Sequence, residues 1–100
     1  MGTQVQATPR RSERIHVKMP VTLRVVSDRV EHTASTIDLS QEGTRVYSSA
    51  GLIPEQGVVI IADWGSRCSI PGRVVWVGRI GSRMEGHAGI EFLSPLPVPV

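Results

Sequence analysis

Two short segments of this chain carry side chains suited to holding an anion. The first is Arg10-Arg11-Ser12-Glu13-Arg14. A guanidinium is a planar fork of donors that meets a phosphate or the acceptor edge of a purine through two parallel hydrogen bonds, a geometry lysine cannot reproduce. The second is Asp38-Leu39-Ser40-Gln41-Glu42-Gly43, which places a carboxylate, a hydroxyl and a glycine within six residues. Guanine would suit the pair: its N7 and O6 acceptors match an arginine, and its N1 and N2 donors match a carboxylate. The chemistry these residues offer is recognition of an anionic nucleotide.

Each segment alone has a plainer explanation. A basic cluster near a terminus is commonly a solvated tail, and Asp, Ser and Gly after a strand are ordinary turn chemistry. The charge is nevertheless local. Arg10, Arg11, Arg14 and Lys18 stand against Glu13 alone, a surplus of +3 in a chain whose net charge is only +2. That describes an anion site and not a polyanion-binding surface.

Other chemistries find no support. His16, His32 and His87 are far apart and share no metal-ligand spacing with Cys68, so no metal site is expected. Ser40 lies two residues from Asp38 without the base that would activate a serine nucleophile, so the chain is not expected to be an enzyme or to need a cofactor. Aromatic residues make up only 4% of the sequence, too few for the aromatic and basic interleaving of a general nucleic-acid barrel. Nucleic acid is not an expected partner.

The elements that must position these residues read as strands. At 100 residues with 40% hydrophobic and 20% charged content, the chain suits one domain with a real core, and no apolar run approaches the roughly 20 residues of a membrane-spanning helix. No membrane insertion is expected. Residues 1–9 are a polar lead-in without the pattern of a secretory signal, and the single Cys68 cannot form an internal disulfide, which together suggest a cytoplasmic location.

Val21, Leu23 and Val25 alternate with Thr22 and Arg24, predicting a half-buried strand after Pro20. Thr33, Ser35, Ile37 and Leu39 share one parity of a weaker second strand over 32–39, and Gly43 permits the turn into a third over 44–48. Val58 to Ala62 is a continuous apolar run that suggests a strand buried on both faces. In 67–77, Cys68, Ile70, Val74 and Trp76 share a parity that Pro71-Gly72 interrupts, predicting a bulge or edge position there, with Trp76 in the core. Trp64 is expected to be partly exposed near a hairpin turn. Three glycines in 78–86 suggest a flexible loop before a last strand over 87–93. Six short strands and little or no helix predict an all-β barrel or sandwich.

The order of these features is similar to that of the PilZ domain family. Arg10-x-x-x-Arg14 precedes the first strand, Asp38-x-Ser40-x-x-Gly43 ends the second, and Val74-Val75-Trp76-Val77 and Gly89-Ile90-Glu91-Phe92 follow. The resemblance spans residues 10–93, leaving 1–9 as a disordered lead-in and 94–100 as a proline-rich tail. It implies a six-stranded antiparallel β-barrel and a bacterial second-messenger receptor for cyclic di-GMP. By that resemblance Arg10 and Arg14 contact phosphate and guanine, and Arg11 is an auxiliary cation. Asp38 and Ser40 make polar contacts with the ligand, and Gly43 allows a close backbone approach. Binding would order a mobile arginine arm and recruit a downstream protein partner. The alternatives are a PilZ-like interaction adaptor that binds no ligand and, ranked lower, a small nucleic-acid-binding barrel.

Overall fold

The computed structural model describes residues 14–63 and 66–94. Seven strands run through them: β1 (Ile15–His16), β2 (Pro20–Val25), β3 (Glu31–Leu39), β4 (Gly43–Ser48), β5 (Gly57–Asp63), β6 (Arg67–Val77) and β7 (His87–Phe92). All pairings are antiparallel, in the order β3-β2-β5-β6-β7-β4, and a β3–β4 ladder closes the ring. The result is a closed six-stranded antiparallel barrel with no helix among the described residues. Closure pairs the backbone donors and acceptors that an open sheet would leave along its two edges.

Period-two patterning fills the barrel. Leu23, Val46, Val58, Ile60 and Val74 are almost wholly buried, with Val21, Val25, Ile90 and Phe92 around them. Burying one such aliphatic side chain contributes roughly 1.5–3 kcal/mol. Strand β5 departs from the reading of its apolar run, because Val58, Ile60 and Ala62 are buried whereas Val59 and Ile61 are only half-buried. A small barrel has a single interior, so even an all-apolar strand turns alternate residues outward.

Two bulges shift parity, and both lie near the arginine and carboxylate segments or their neighbours. On β3 the buried face is carried by Ala34 and Thr36, and a register shift between Thr36 and Asp38 then turns Leu39 inward. On β6 the irregularity falls between Val74 and Trp76, not at Pro71-Gly72, which remain paired with β5 inside the sheet. A one-residue slip sends every later side chain to the opposite face. Trp76 is therefore on the outer surface, 38% exposed, and not in the core.

Strand β1 has no counterpart among the six expected strands. It pairs with the end of β3 that β2 leaves free, Ile15 opposite Leu39 and His16 opposite Asp38. Between β1 and β2 the chain leaves the ladder, and Thr36 takes its place. The Thr36 hydroxyl donates to the Val17 carbonyl at 2.5 Å and accepts from the Met19 amide at 2.9 Å, while the Thr36 amide donates to the Met19 carbonyl. Elsewhere, Arg73 bridges Glu91 on β7 and Glu55 before β5, and these two carboxylates push its pKa upward.

Candidate functional site

The chain places Asp38 on the outside of the barrel and then covers it. Its β4 partner Arg45 is flanked by the inward-facing Thr44 and Val46, so Asp38 and Arg45 both project outward. Even so, Asp38 is only 7% exposed. Burying a carboxylate is costly unless cations and donors surround it. Here Arg14 Nη1 donates to Asp38 Oδ1 at 2.5 Å, and Arg45 Nε lies 3.7 Å from Asp38 Oδ2. Backbone support comes from below, where the Thr44 hydroxyl donates to the Asp38 carbonyl at 2.6 Å.

The two arginines differ in how they are held. Arg14 precedes β1, and its side chain is 53% exposed. Arg45 is paired on both sides, with Asp38 of β3 and Gly89 of β7, and its Nε is buried without a hydrogen-bond partner. Sequence reasoning missed Arg45. Its signal was available, because a tight 39–44 hairpin pairs Asp38 with Arg45 once Leu39 pairs with Thr44.

The Ser40 to Gly43 segment is occupied by its own turn. Ser40 Oγ accepts from the amides of Glu42 and Gly43 at 3.1 and 3.2 Å, and the Ser40 amide donates to the Gly43 carbonyl at 2.9 Å. This is hydroxyl-capped turn chemistry, and it keeps Ser40 buried at the end of β3. Gly43 is required by β7. A Cβ at that position would stand 2.4 Å from the Ile90 carbonyl oxygen. Glu42 is exposed, while its carbonyl accepts from the Phe92 amide at 2.8 Å and ties the turn to β7.

One row of residues crosses five strands on the outer face: His16, Asp38, Arg45, Gly89 and Trp76, each opposite the next. The Trp76 indole lies over Gly89, whose missing side chain makes room for it, since a Cβ there would fall 2.1 Å from Trp76 Nε1. With Arg14 added, the row sets a carboxylate between two guanidinium groups, with an aromatic plate beyond. Such a set can pair with phosphate, match the donor edge of a purine and offer a flat apolar surface.

Of the residues singled out from the sequence, Arg14, Asp38, Ser40 and Gly43 lie together at this end of the barrel. Arg10 and Arg11 lie outside the described residues, as does Trp64. The histidines and Cys68 do not converge, and among the described residues no group of three or more His, Cys, Asp or Glu could hold a metal ion. No helix among them is long and apolar enough to cross a membrane.

Comparison with known proteins agrees with this architecture. No curated protein matches the chain. Among solved structures, the chain is similar to the crystal structure of the PilZ domain of CeSA from a cellulose-synthesizing bacterium. The two share 25% identity with a TM-score of 0.65, over 81% of this chain and 80% of that one. The PilZ domain model matches residues 8–99, which include both the arginine segment and the Asp-x-Ser-x-x-Gly turn. With nearly the whole length matched and the closed barrel in place, the chain belongs to the PilZ domain family, whose members generally serve as receptors for cyclic di-GMP.

Proposed function

We propose that this domain is a non-enzymatic, cytoplasmic bacterial receptor that binds cyclic di-GMP between the Arg10 to Arg14 segment and the Asp38 to Gly43 strand end. The observation that carries this reading is the meeting of Arg14 and Asp38, which lie 24 residues apart in sequence and 2.5 Å apart in space. In the proposed complex Arg10, Arg11 and Arg14 face phosphate and guanine acceptors. Asp38 accepts from the guanine donor edge, and Ser40 and Gly43 hold the turn against which the ligand sits. Among the described residues, β1 is paired to β3 and Arg14 is bonded to Asp38, so the rearrangement expected on binding falls there to the Arg14 side chain. Ordering of the arginines would then change the surface offered to a downstream protein.

Calorimetric titration with cyclic di-GMP tests the reading. Wild type is expected to bind at micromolar concentration or tighter. Arg14→Ala is expected to lose one charge-assisted contact, about 1.5–3 kcal/mol, or roughly ten- to a hundredfold in affinity. No heat with wild type would refute it. A second reading, an interaction adaptor without ligand, is favoured by one observation: Arg14 and Asp38 satisfy each other, and Ser40 and Gly43 have complete structural roles. That reading predicts partner binding unaffected by Arg14→Ala or Asp38→Ala.

A further inference from the structure

The carboxylate of Asp38 is buried between two cations that cannot both behave alike. Arg14 reaches it from an exposed side chain, so a nucleotide phosphate can draw Arg14 away. Asp38 would then stand in a covered position without a bonded counter-ion, an arrangement strongly disfavoured. Arg45 waits 3.7 Å off on a strand anchored from both sides, with a buried Nε–H that has no acceptor. A buried donor lacking a partner and a carboxylate oxygen one short step beyond hydrogen-bond reach form a latent bond.

We propose that Arg45 is the reserve counter-ion of Asp38, closing onto its carboxylate when Arg14 turns to the phosphate of a bound nucleotide. The exchange rests on the receptor reading for its trigger. It makes Arg45 a positioning residue for ligand binding, since it holds the Asp38 carboxylate in its aimed position without touching the ligand. The remaining group opposite Asp38 is His16 on β1, which is exposed. Lysine at position 45 would preserve the charge, whereas glutamine would preserve only polarity.

Two measurements test the exchange. In urea unfolding without nucleotide, Arg45→Gln should matter little in the wild-type background, where Arg14 still holds Asp38. In an Arg14→Ala background it should lower the folded-to-unfolded ratio about tenfold more, because the second cation is then the last one. In titration with cyclic di-GMP, Arg45→Gln should weaken binding roughly tenfold or more, and Arg45→Lys should recover most of that loss. Additive unfolding effects in the two backgrounds would overturn the proposal. So would unchanged affinity of Arg45→Gln beside a wild type that binds, or a glutamine variant no weaker than the lysine one. Failure of wild type itself to bind refutes the receptor reading and removes the exchange with it, a result distinct from the others.

Discussion

Gly43 offers a sharp test, because two different causes for the same glycine predict different losses. If its smallness serves a ligand, Gly43→Ala should leave the free domain stable. If it serves the barrel, the domain itself should suffer. A Cβ on Gly43 would meet the Ile90 carbonyl oxygen at 2.4 Å, about 1 Å inside ordinary contact, and the neighbour is backbone that cannot swing aside. Overpacking of this kind costs typically about 1–3 kcal/mol. For a domain of this size each kcal/mol shifts the melting temperature by roughly 4–8 °C, so Gly43→Ala should melt about 5–20 °C below wild type. Gly51→Ala is the internal control. Nothing lies within 4 Å of a Cβ there, so the substitution should be neutral or gain a few tenths of a kcal/mol through the unfolded chain. Thermal melts followed by far-ultraviolet circular dichroism, without nucleotide, read both. A Gly43→Ala melt within about 2 °C of the Gly51→Ala control would mean that the barrel tolerates the methyl, and would return the glycine to the ligand.

Two further outcomes concern Thr36 and Trp76. Thr36→Val removes the hydroxyl that ties Val17 and Met19 to β3, so the Met19 amide should exchange with solvent faster and trypsin should cut after Lys18 more readily, with a stability loss of about 1–3 kcal/mol. In a Trp64→Phe background, Gly89→Ala should push the Trp76 indole off the sheet and red-shift its fluorescence; an unmoved spectrum would contradict the packing over Gly89.

The alternation of Val21, Leu23 and Val25, and of Ala88, Ile90 and Phe92, was legible because a strand with one buried face writes its period into hydropathy. What escaped were features set by a partner strand. The slips at Thr36/Asp38 and Val74/Trp76 exist only as two residues opposing one across a ladder, so the chain alone gave no reason to send Trp76 outward. Strand β1 escaped for a related cause: Ile15 and His16 are both exposed, and their order comes from the free end of β3, not from burial. At the site, Asp38 and Arg14 stood out by residue type and spacing. Arg45 did not, since a lone arginine between Thr44 and Val46 looks like any outward strand residue until its neighbour across the hairpin is known.

Strands β1 and β2 lie along the same side of β3, one after the other, with Thr36 holding the chain through the gap between them. The segment from Arg14 to Pro20 is therefore a ruler. Its residue types are free to vary where they face solvent, but its length is fixed, because Pro20 is locked opposite Ser35 and His16 opposite Asp38. Adding or deleting a single residue there would leave the barrel intact and carry Arg14 past its carboxylate, so selection on this stretch should act on count more than on composition.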